Sequence, residues 1–151
     1  MPSALWRYKF LSDQEAAWLA SALDFEGSLS LTKSKLANNK GLSWMPTFQL
    51  GVTNQELAEK VKEIIGAGSL CYSKPRKDNH HGVWHYSLKS VGLRMILPQI
   101  KPFVVAKKRQ VELMMRALDL VKGNRGIGHY GNNNARLETI KMEIERLNKE
   151  M

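Results

Sequence analysis

The sequence predicts an α+β domain in which a four-stranded antiparallel sheet carries helices on one face, and three observations support that prediction. Helical and alternating stretches follow one another in the order helix, two strands, helix, two strands, helices. Within each pair of alternating stretches, a short polar segment, Ala37 to Gly41 or Pro75 to Gly82, offers turn chemistry. Along the strands, large apolar residues alternate with short polar ones, as a sheet covered on one side requires. At 151 residues the chain is expected to be one domain spanning residues 1–151, and a chain of this size hides about two thirds of its unfolded surface.

The first helix is announced by Ser12 and Glu15, which are spaced as a capping box, and by the helix-favouring run Ala16 to Leu23, with Gly27 as its stop. A strand is read at residues 28–36 and its hairpin partner from Trp44 to Thr53. Thr53 and Glu56 form a second capping box, opening a helix through Leu57, Val61, Ile64 and Ile65 that ends at Gly66. Strands follow at Ser69 to about Lys74 and at Val83 to Lys89. A short helix from Ser90 to Leu97 is stopped by Pro98, a long one runs from about Val104 to Lys122, and a last one covers Ala135 to Lys149. The segment from Asn124 to Asn133 reads as a loop. Leu29, Leu31, Phe48, Leu50, Leu70, Tyr72, Tyr86 and Leu88 are expected to face the helices. Ser30, Thr32, Ser34, Thr47, Gln49, Ser69, Ser73, His85, Ser87 and Lys89 are expected to face away.

Lysine and arginine total 23 against 14 acids, a net charge of +9 that fits a polyanionic partner as well as a merely solvated surface. The single cysteine, Cys71, excludes an internal disulfide framework and fits a reducing, intracellular setting. No apolar run approaches the roughly 18 residues of a membrane span, and no secretory leader is read at the N-terminus. His80, His81 and His85 lack acids or cysteines at zinc-ligand spacing.

The most telling stretch is Leu19 to Gly27, Leu-Ala-Ser-Ala-Leu-Asp-Phe-Glu-Gly, which brings two carboxylates to the C-terminal end of a helix. The helix dipole disfavours acids there, so the pair calls for a compensating cation or a local hydrogen-bonding role. Leu19, Ala20, Asp24, Glu26 and Gly27 resemble the nonapeptide of the LAGLIDADG homing endonucleases, and the order of the later elements follows that family's plan, αββαββα. The resemblance implies a homodimer, because one motif is present, with Ala17, Ser21, Ala22 and Asp24 on the helix face that meets its twin. It implies that Glu26 and the backbone carbonyl of Phe25 bind Mg2+, a site that Mn2+ or Ca2+ could also occupy. For Glu26 the plainer reading is a surface acid at a helix end, and for Asp24 a partner for backbone groups.

By the same resemblance Lys107, with Lys108 as the neighbouring register, lies near the scissile phosphate, and Asn54, with Gln55 as competitor, orients water. Either of the latter could instead belong to the helix start. The outward sheet residues, together with Lys74 and Arg76, would read double-stranded DNA, with Lys33, Lys35, Lys40, Lys77, Arg125 and Arg136 as further phosphate contacts. The implied activity is metal-dependent, site-specific hydrolysis of both strands of a long, pseudo-palindromic duplex, as in intron homing. An RNA maturase acting on intron RNA and a non-cutting DNA-binding regulator are the alternatives.

Overall fold

The computed structural model describes residues 10–35, 42–75, 81–123 and 133–150. The expected turn at 37–41 and most of the loops read at 75–82 and 124–133 lie outside the described residues. Helix α1 spans Asp13–Glu26, β1 Gly27–Lys35, β2 Leu42–Val52, α2 Gln55–Ile65, β3 Ser69–Ser73 and β4 Val83–Lys89. These are followed by α3 at Ser90–Ile100, a single 3-10 turn at Lys101–Phe103, α4 at Lys108–Gly123 and α5 at Asn134–Glu150. The four strands form one antiparallel sheet in the order β1-β2-β4-β3, so β1 and β3 are its edges.

The register sorts side chains by face. Leu29 lies opposite Phe48, and Leu50 opposite Tyr86; all four are buried against the helices, as are Leu31 and Leu88. Leu19, Ala20 and Leu23 of α1, Ile64 and Ile65 of α2, Leu93 and Leu97 of α3, Met114 of α4 and Ile144 of α5 complete one core. Burial of the inward residues thins out at the β3 edge, although Leu70 still packs against the core. Leu70 is only partly buried, and Tyr72 is 49% exposed, tilted over Trp84 with ring centroids 5.0 Å apart. A five-residue outermost strand has a neighbour on one side only, and nearly all of β3 is open to solvent.

Local signals succeed where partners are close in sequence. Ser12 and Glu15 form both bonds of the expected capping box. The cap of α2 lies one residue later than expected, because Asn54 rather than Thr53 accepts from the Leu57 amide, at 3.1 Å. Pro98 sits inside α3 instead of ending it, since proline deprives a helix of one backbone bond while Ile100 beyond it gains a fully buried place. Helix α4 begins at Lys108, four residues later than expected, because the backbone just before it is used elsewhere.

Candidate active site and nucleic-acid interface

Helix α1 ends without a turn: Glu26 is its last residue, and Gly27 is already extended, with φ −95° and ψ 168°. Gly27 is therefore required by space and not by a left-handed conformation. A Cβ there would lie 2.8 Å from Phe48 Cε2 and 2.9 Å from the Leu23 Cα, so only glycine lets the helix run straight into the strand.

Asp24 is tied to its own chain. Its Oδ2 accepts the Val105 amide at 2.8 Å, and its Oδ1 accepts those of Ala106 and Lys107 at 3.1 and 3.0 Å. That clamp holds residues 105–107 ahead of the helix, which starts at Lys108. The segment thus clamped delivers Lys107, whose Nζ donates to the carbonyls of Leu23, at 2.9 Å, and Gly27. An ammonium on the last carbonyls of α1 is the cation that the acid-rich helix end called for, as no basic residue lies in its own last turn. Partial burial pulls the Lys107 pKa below the ordinary lysine value, while the nearby charges of Asp24 and Glu26 pull against that shift. Lys108, the alternative register, is the exposed first residue of α4.

Glu26 is exposed at the helix tip and lines the head of a polar groove of about 400 Å³ on the outer sheet face, together with Ser28, Gln49, Ser69, His85 and Ser87. Ser28 and Cys71 belong to this groove and were absent from the expected set, although both lie in register with expected readers, Ser28 opposite Gln49 and Cys71 opposite His85. Among the described residues no three His, Cys, Asp or Glu side chains gather around one point. A divalent ion at Glu26 would therefore take one carboxylate from this chain and complete its shell with a backbone carbonyl such as that of Phe25, water, phosphate or a second copy. Mg2+ chemistry fits such a donor set.

The expected DNA-reading set divides. Thr32, Ser34, Gln49, Ser69, Ser73, Lys74, His85 and Lys89 are exposed, and Ser30 and Ser87 half-buried. Thr47 is a correction: it lies on the outer face by register, opposite Ser30 and Lys89, yet is 4% exposed and gives its hydroxyl to the Met45 carbonyl at 3.4 Å. Lys33, expected on phosphate, pairs with Glu138 of α5 at 2.5 Å and stands over the Trp44 ring. Arg136 is exposed on α5, among the helices, and Arg76 lies outside the described residues. Asn54 caps α2, and Gln55 bonds Glu59 at 2.9 Å, so both side chains have helix roles.

A second cavity, of about 440 Å³, opens at the β1 edge between Asp24, Phe25, Ser28, Lys107 and Asn148. Ser28 lines both cavities. Along the exposed side of α1, Trp18, Ser21, Ala22 and Phe25 join Val52 and Leu57 around a largely apolar depression of about 170 Å³. Phe25 is 83% exposed, and the Ser21 hydroxyl returns to the Ala17 carbonyl, so this small-residue face keeps its polar group to itself.

No protein-family model and no curated protein matches the sequence. Solved structures do. The archaeal intron-encoded homing endonuclease I-Vdi141I complexed with DNA is 22% identical, with a TM-score of 0.72 over 89% of this chain and 84% of that one. The homing endonuclease I-CvuI in complex with its target is 14% identical, with a TM-score of 0.71 over 89% and 82%. The LAGLIDADG meganuclease I-AabMI bound to uncleaved DNA is 18% identical at a TM-score of 0.67, with 87% of this chain matching 44% of that chain. The sheet, the helix that ends in Asp24, Phe25 and Glu26, and the order of the elements are thus those of the LAGLIDADG homing endonuclease fold.

Proposed function

We propose that the chain is a homodimeric, Mg2+-dependent, site-specific DNA endonuclease that hydrolyses both strands of a pseudo-palindromic duplex. The observation that carries this reading is the placement of Glu26: an exposed carboxylate heads a polar groove, and its charge is felt by the half-buried ammonium of Lys107. A divalent ion held by Glu26 would polarise water and neutralise phosphate charge. Lys107 holds a proton at Nζ against two backbone carbonyls, where it can stabilise charge developing on a phosphate oxygen. Gln49, His85 and Ser87 line the outer sheet face with amide, imidazole and hydroxyl groups, which would meet base edges in a major groove. In the dimer, the apolar side of α1 with Phe25 would be covered by its twin, setting two Glu26 residues side by side and making the target symmetric.

Incubating the protein and Glu26→Gln with a library of plasmid targets and Mg2+ tests this reading. Cutting by the parent and binding without cutting by the variant are expected. Cutting by Glu26→Gln removes the metal assignment, and binding without cutting by the parent favours a regulator. Affinity should fall steeply with salt, as it does when many phosphates are contacted.

A further inference from the structure

We propose that Asn148 is a positioning residue of the cleavage centre, pinning the open edge of β1 two residues beyond the point at which Lys107 grips it and so holding the Lys107 ammonium beside Glu26. Among the described residues strand β1 pairs only with β2, which leaves one of its edges without a partner strand. Carbonyls alternate between the two edges of a strand, so those of Gly27 and Leu29 share one side. Lys107 Nζ donates to Gly27. Asn148 Nδ2 donates to Leu29 at 3.0 Å. The two side chains therefore stand about 7 Å apart along the strand and take the place of a fifth one.

Helix α5 arrives there with little freedom. Its start is held by Trp44 Nε1 on Asn134 Oδ1 at 2.9 Å and by the Lys33–Glu138 pair, and its body by buried Leu137, Ile140 and Ile144. From Glu138 to Asn148 the helix rises about 15 Å, close to the roughly 13 Å that β1 covers from Lys33 back to Leu29. The helix thus runs antiparallel beside the strand and reaches the cleavage centre with its last turn. Asn148 and Lys107 line the same cavity, with Ser28 between it and the Glu26 groove. Among the described residues the other amide atoms of Asn148 have no partner, which leaves them to front that cavity.

The kinetic arm of the test rests on the nuclease reading, and the chemical arm does not. In DNA-free protein, acylation of Lys107 by an acetyl N-hydroxysuccinimide ester, measured by mass spectrometry against Lys108, should be several-fold faster in Asn148→Ala than in the parent. Single-turnover cleavage should slow about ten-fold, as when a supporting residue is removed, with DNA affinity in Ca2+ unchanged. Asn148→Gln, which keeps the donor, should recover part of both effects, and the near-isosteric Asn148→Leu replaces the alanine variant if that chain fails to fold. Unchanged Lys107 acylation in a folded variant overturns the proposal, as does a loss of rate that only follows lost affinity. Faster acylation in a protein whose parent never cuts upholds the positioning role and sinks the nuclease reading alone.

Discussion

Helices α1 and α2 have similar lengths and opposite manners of ending. Helix α2 obeys local rules: Asn54 caps its start, Lys62 stands in its last turn, and Gly66 closes it in the left-handed region at φ 79°. Helix α1 starts as conventionally, yet it ends on two acids with no basic residue in the last turn and an extended glycine. What α2 takes from its neighbours in sequence, α1 takes from residues more than 80 positions away, the amides of 105–107 and the Lys107 ammonium. A helix end that breaks local rules and is repaired from a distance is where a functional site is expected, whereas one that satisfies itself reads as scaffold.

Substitutions at the two ends put that contrast at risk. The largest effect is expected at Glu26→Gln, with cleavage down at least about 10³-fold and binding retained, since the lost group would hold the ion. Lys107→Met should lower the single-turnover rate about 10²-fold. It should also change the pH dependence of stability. The parent's Lys107 loses its proton at lower pH in the folded chain than in the unfolded one, so its charge weakens the fold fully below the folded pKa, and that penalty recedes as pH rises through the window up to the ordinary lysine value. Melting temperature measured on the alkaline side should therefore rise less with pH in Lys107→Met than in the parent.

Gly27→Ala, which forces a Cβ against Phe48 and Leu23, should cost about 2–3 kcal/mol in chemical denaturation. The two α2 substitutions are the controls. Asn54→Ala should cost about 1 kcal/mol as a lost cap, with the cleavage rate of folded molecules unchanged. A slower rate at retained stability would restore Asn54 as a water-orienting residue. Gly66→Ala should cost about 1 kcal/mol through its positive φ and leave the rate untouched, because a Cβ there meets no neighbour.

The same contrast explains what could be read without coordinates. The strand boundaries, the Ser12–Glu15 box and the two faces of the sheet follow from neighbours within a few residues, and they hold to within a residue or two. The sequence pattern puts the start of α4 near Val104, but the helix begins at Lys108, after the segment clamped by Asp24, a contact that no local pattern encodes. Pro98 reads as a stop from the sequence alone, whereas the burial of Ile100 that carries the helix past it is a tertiary fact. Asn148 left no trace at all, since an asparagine near the end of a polar helix is ordinary until the β1 edge lies beside it. Ser28 was within reach: continuing the outward alternation of Ser30 and Thr32 back by two positions finds it.

The sheet's two sides also answer to separate structural demands. Among the described residues, buried Leu29, Leu31, Phe48, Leu50, Tyr86 and Leu88 face the helices, while hydroxyls, an amide, an imidazole and the half-buried Met45 and Val83 occupy the other surface, where Thr47 is buried. Exchanges at Gln49, His85 or Ser87 would leave the buried interior untouched, so the chemistry of the open surface can change while the scaffold stands still.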